Sequence, residues 1–138
     1  MRIMSLNKLD SSNDFEPKFV LKVVDDLFYQ VELAEDIDFE IPDLQDLVEA
    51  ERELDGRKLP VLVLCEPTTN TNVDLMNYLS KNKNNPYSVA DAFVINSISQ
   101  SILANFYSKI NKPERPTKFF TKREDALEWI KQFFKDSN

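Results

Sequence analysis

Ala92-Phe-Val-Ile95, Ser97 to Ile110, Asn111-Lys-Pro-Glu-Arg-Pro116, Thr117-Lys-Phe-Phe120 and a segment closing on Trp129 and Phe134 follow one another without a break. The first and fourth pieces are short apolar runs that read as strands. In the second, Ile98, Ile102, Leu103, Phe106 and Ile110 lie at helical spacing, and Asn111 with Pro113 supply the stop signals. In the last, Ala126, Leu127, Ile130, Phe133 and Phe134 define a buried face, with Lys122, Arg123, Glu124, Asp125, Glu128 and Lys131 turned to water. Strand, helix, proline-bracketed link, strand, helix is the syntax of an alternating α/β fold.

The same syntax extends towards the N-terminus. Leu59-Pro-Val-Leu-Val-Leu-Cys65 is almost unbroken apolar sequence, as expected of a central strand covered on both faces. The polar loop Glu66-Pro-Thr-Thr-Asn-Thr-Asn72 leads into a helix with Val73, Met76 and Leu79 inward, ended by the run Ser80 to Pro86. Before the central strand, Pro42 to Asp55 reads as a helix. Pro42 suits its first turn, Leu44, Leu47, Val48 and Leu54 form its stripe, and Gly56 suits a left-handed C-terminal cap. Earlier still, Phe19 to Val24 and Leu27 to Leu33 read as two strands turning at Asp25-Asp26. Leu27, Tyr29, Val31 and Leu33 alternate with a wetter set, Phe28, Gln30 and Glu32. Residues 1–17 read as an N-terminal arm with a short strand near Ile3 to Leu6, and residues 18–138 as one domain. The expected order is β-β-α-β-α-β-α-β-α, a mixed sheet with helices packed against it and right-handed crossovers between parallel strands.

Composition removes whole classes of chemistry. Among 138 residues there is no His, which excludes His-based triads and His metal sites. A single Gly excludes glycine-rich phosphate loops. The lone Cys65 cannot form an internal disulfide, which suits a reducing, cytoplasmic setting. The net charge of -7 opposes nucleic acid and anionic membrane as partners, and no apolar run is long enough to insert into a bilayer. Ten Phe residues suggest an aromatic core. No cofactor and no metal site is expected.

The candidate binding residues lie at the strand-to-helix junctions, because ligands of open α/β sheets bind outside the carboxyl ends of the strands. Those ends carry Thr68, Thr69, Asn70, Thr71, Asn96, Ser97 and Thr121. Thr71 with Asp74, Ser97 with Gln100, and Thr121 with Glu124 each place a hydroxyl three residues before an acid or amide, the capping-box arrangement. These groups suit an anion; the plainer reading is that they cap their own helices. Cys65 reads as a buried, inert thiol, since Glu66 opposes its ionisation. The acids from Glu35 to Asp55, Glu51 among them, read as a solvated face. Lys109, Lys112, Arg115, Lys118, Lys122 and Arg123 form a basic counterpart that an acidic partner or a second copy could meet, with ordinary surface charge as the plainer reading. Tyr107 and Trp129 read as core aromatics or as the rim of an apolar cleft.

Asp91-Ala-Phe-Val-Ile-Asn-Ser97, Leu103-Ala-Asn-Phe-Tyr107, Asn111-Lys-Pro-Glu-Arg-Pro-Thr-Lys-Phe-Phe-Thr121 and Glu124-Asp-Ala-Leu-Glu-Trp-Ile130 resemble the uncharacterised bacterial STAS-like (SpoIIAA-like) proteins. The resemblance is specific in the C-terminal half, looser from Phe19 to Leu79, and does not reach Met1 to Pro17. It implies a STAS-like fold and a non-enzymatic, regulatory domain acting by protein contact or small-ligand sensing. In regulatory members the loop after the central strand carries an Asp-Ser pair phosphorylated by a partner kinase. The matching loop here, Cys65 to Val73, has threonines and no such pair, leaving Thr71 as the phospho-acceptor to consider. A lipid-exchange branch of the superfamily implies the alternative, a carrier for a small apolar or anionic ligand.

Overall fold

The computed structural model describes residues 2–5 and 17–134. Its sheet has six strands: β1 (Arg2–Ser5), β2 (Phe19–Val24), β3 (Phe28–Leu33), β5 (Leu59–Leu64), β7 (Ser88–Val94) and β8 (Thr117–Phe120), side by side in that order. A separate two-residue ladder joins β4 (Ile37–Asp38) to β6 (Thr69–Asn70). Four helices complete the chain: α1 (Ile41–Leu54), α2 (Val73–Leu79), α3 (Ile98–Phe106) and α4 (Arg123–Ile130). The strand expected near Ile3 is β1, antiparallel to β2. The remainder of the expected arm, apart from Pro17, lies outside the described residues.

The hairpin turns where the sequence places it. Asp25 and Asp26 take φ of 53° and 62°, and the Leu27 N–H closes on the Val24 carbonyl at 2.8 Å. Two consecutive positive φ values give the reverse twist that suits a right-twisted ribbon, and Asp tolerates them better than most residues. From β3 onwards every strand pair is parallel: β3–β5, β5–β7 and β7–β8. Three successive crossovers run in one direction along the sheet, so a common handedness puts α1, α2 and α3 on the same face. Helix α4, which follows β8 and is not part of a crossover, covers the other.

The central strand reports this two-sided burial. Leu59, Val61 and Val63 pack with α1 and α2, whereas Leu62 packs with Ala126 and Ile130 of α4. The alternation expected in β3 therefore has no wet side. Phe28 and Gln30 are buried, Phe28 stacking on Phe134 and Gln30 accepting from Arg123 at 2.7 Å. Helix α1 begins at Ile41, one residue before the expected start, with Asp43 accepting from the Glu40 N–H at 2.9 Å. It ends at Gly56, whose φ of 80° leaves no easy place for a side chain.

Two expected caps shift. The cap of α2 is Asn72, not Thr71: its Oδ1 accepts from the Leu75 N–H at 2.8 Å, and Val73 consequently faces solvent while Leu75 faces the core. Lys122, not Thr121, occupies the cap position of α4 and makes no side-chain bond there. Ser97 does cap α3, accepting from the Gln100 N–H at 3.2 Å.

Candidate functional site

Helix α3 presents its small and polar residues to the sheet. Gln100, Ala104 and, one turn on, Tyr107 are buried and Leu103 is half-buried. The large aliphatic residues of the expected stripe point outward instead: Ile98 is 81 % exposed, Ile102 64 %, Ile110 63 % and Phe106 38 %. Polar groups decide the rotation of the helix. Gln100 Nε2 donates to the carbonyls of Glu66 (2.8 Å) and Thr69 (2.9 Å), and its Oε1 accepts from the Asn96 N–H. Those loop groups would otherwise lose partners on burial, at about 1–3 kcal/mol each.

With Ala104 where a larger residue would fill the layer, a cavity of about 80 Å³ remains between the helices and the sheet. Its walls are overwhelmingly apolar, with Val63 and Phe93 on the floor and Leu44, Leu75, Leu103 and Ala104 above. Apolar cavities about twice this size take up benzene or xenon.

One side of the cavity is polar. Glu51, on the inner face of α1, is 1 % exposed and borders the space, and its Oε1 has no hydrogen-bond partner among the described residues. Burial, and next the Asp91 carboxylate, push its pKa up to about 8, with Arg115 pulling the other way. At neutral pH this side chain is an uncharged acid. Asp91 also borders the cavity, from β7, and both its oxygens are engaged. Ser88 Oγ donates to Oδ1 at 2.5 Å and Arg115 Nε to Oδ2 at 2.8 Å. The other two Arg115 nitrogens bond Asn82 Oδ1 (3.1 Å) and the Leu79 carbonyl (2.7 Å). Nearby, the buried Tyr107 hydroxyl lacks a partner among the described residues, and burial raises its pKa.

A family model described as Domain of unknown function (DUF7793) matches residues 22–134. The chain belongs to this family. The match takes in both helical layers and every residue of the cavity and its acid cluster. No curated protein and no solved structure matches the chain.

The DUF7793 domain brings the junction residues together only in part. Gln100 ties the 66–69 loop to the start of α3, and Asn96 Nδ2 reaches the Cys65 carbonyl at 3.4 Å. Most of the expected contact groups are spent inside the fold. Thr69 is buried, donating to the Ala34 carbonyl at 2.8 Å and accepting from the Glu66 N–H at 2.9 Å. Thr68 Oγ1 accepts from the Asp36 N–H at 2.8 Å, the Asn70 carbonyl from the Phe39 N–H at 2.8 Å, and Ser97 caps its helix. Thr121 is exposed at the end of β8. Of the seven residues, only Thr69 and Thr71 border the cavity. Cys65 borders it too, its thiol pushed up to about 12 by burial and by Glu66, and so protonated. Among the described residues, no cluster of three or more acids or thiols could hold a metal ion, and no helix is long and apolar enough to cross a membrane.

Two expectations about charge are corrected. Glu51 is not on a solvated face, and Arg115 is not on the surface. Spacing carried a signal for the first: Leu44, Leu47, Glu51 and Leu54 step by three, four and three, which centres the acid on the apolar stripe. Asp91 sits between two alanines in an otherwise apolar strand, a pattern that asks for a buried cation. Nothing local marks Arg115 as that cation.

Proposed function

We propose that this domain binds a small apolar ligand in the cavity beneath α3, as a sensor or carrier and not as an enzyme. The cavity carries the reading: a closely packed interior does not leave about 80 Å³ of apolar space without consequence for stability, and here a helix turns its large side chains away from it. The order of elements around the mixed sheet is the one expected for the STAS-like relationship that the sequence wording suggests. The single Cys65, with no second cysteine to pair with in the chain, fits a cytoplasmic setting. Native mass spectrometry of gently purified protein should reveal a retained small organic molecule, or uptake of xenon or short-chain probes followed by NMR. Ala104→Leu should abolish both while the protein stays folded. A protein that neither retains nor takes up any apolar molecule would overturn the reading.

A second reading rests on the outward stripe. Ile98, Ile102, Phe106 and Ile110 follow one another at four-residue intervals, all exposed, and no acidic residue occurs from Ser97 to Lys112 in a chain of net charge -7. Lys109 and Lys112 are exposed or half-exposed beside the stripe. Such a face fits a protein partner whose apolar contact is rimmed by acids. Helix α3 would then join ligand to partner, cavity wall on one side and contact face on the other. Ile102→Ser with Phe106→Ser should abolish capture of such a partner, and loss of capture with rising salt should accompany Lys109→Glu. Unchanged capture by both variants would sink it.

A further inference from the structure

Resting on the reading of the cavity as a ligand site, we infer that its ligand carries a hydroxyl head, seated against the Glu51 carboxyl, and that carboxylate and ammonium analogues are rejected. One unpartnered polar atom, Glu51 Oε1, borders an otherwise apolar space. A buried acceptor without a donor is a defect unless something supplies the donor. A hydroxyl supplies one donor and can in turn accept from an uncharged acid.

Charge excludes the alternatives. The groups in electrostatic reach of Glu51 are Tyr29 from β3, Asp91 from β7 and Arg115 from the link before β8. Tyr29 donates to the Arg57 carbonyl at 2.8 Å, and each of the three Arg115 nitrogens is engaged. A carboxylate entering here would lose its water beside the Asp91 carboxylate and find no unengaged cation in exchange. An ammonium needs several acceptors to replace its water, yet both Asp91 oxygens are occupied and one atom of Glu51 is open. The volume restricts the tail. Scaled against a cavity of about 150 Å³ that holds the six carbons of benzene, about 80 Å³ suits roughly three heavy atoms, a two-carbon tail and its hydroxyl. The ligand class is a short aliphatic alcohol, or the hydroxyl end of a longer molecule.

The test is an amide-NMR titration of the full chain with ethanol, propane, acetate and ethylammonium, in wild type, Glu51→Leu and Glu51→Gln. The ratio of ethanol to propane affinity should fall roughly five- to ten-fold in Glu51→Leu and stay within about two-fold of wild type in Glu51→Gln. Acetate and ethylammonium should bind at least ten-fold more weakly than ethanol. Thermal melts confirm that each variant is folded. An ethanol-to-propane ratio unchanged in Glu51→Leu, or tighter binding of either charged probe, would overturn the hydroxyl assignment and leave the cavity reading standing. Binding of none of the four would overturn both.

Discussion

The two faces of the sheet are built to different standards. Under α4, Leu62, Ala92, Ala126 and Ile130 interlock, Phe28 stacks on Phe134 at 5.8 Å, and Phe120 meets Trp129 at 5.9 Å. Among the described residues, that side has no unpartnered buried polar atom. Under α1 to α3 the layer is larger and leaves a hole, a neutral buried acid and an orphaned hydroxyl. A face serving stability alone would resemble the first. The second tolerates defects of the kind that concentrate at binding sites.

Five substitutions break or sharpen that contrast. Arg115→Leu strips the buried Asp91 of its cation beside Glu51, and should cost about 3–5 kcal/mol in denaturant unfolding, the largest effect of the set. On the other face, Leu62→Ala should cost about 3 kcal/mol, while Leu103→Ala, beside a space already empty, should cost roughly 1 kcal/mol or less. Equal costs would erase the difference between the faces.

Glu51→Leu should act in the opposite direction, raising stability by about 2 kcal/mol near pH 8. The sign follows from the raised pKa. The folded state holds the proton more tightly, so the acid's contribution is whole below 4.5 and is lost as pH rises towards 8. Wild-type melting temperature should therefore fall across that window, and the variant's should fall less. Parallel curves would contradict the burial of a neutral acid. Smallest of all, Ile102→Ser should shift stability by less than about 0.5 kcal/mol, because most of the side chain is already exposed in the folded state. A larger loss would show that the stripe is covered in the isolated protein.

Much of the architecture was legible in local patterns. Asp25-Asp26, Gly56 and the prolines around Glu114 mark turns and stops through backbone restrictions that operate within a few residues. Leu59 to Leu64 announced a strand buried on both sides, because continuous apolar sequence has few other uses. The candidate site was far less legible. Thr69 and Thr71 stand in the loop beyond the central strand, where a ligand is expected, and both border the cavity, while the helix cap expected of Thr71 is made by Asn72. Glu51 and Arg115 each lie in a charged neighbourhood that reads as surface; Arg115 is buried because Asp91, far away in sequence, takes its guanidinium, and Glu51 because it sits on the inward stripe of α1.

Sequence by itself determined the order of the main strands and helices, the hairpin, the glycine and proline stops and the exclusion of histidine and glycine-loop chemistry. Tertiary structure alone decided which side of α3 is inside. Periodicity shows that a helix has an apolar side, but Gln100 faces inward because two loop carbonyls must be satisfied there, and that demand is set by strands and loops more than thirty residues away. The cavity and its neutral acid follow from that choice: the helix that satisfies the loop leaves Ala104 over Phe93, and the space beneath it open to Glu51.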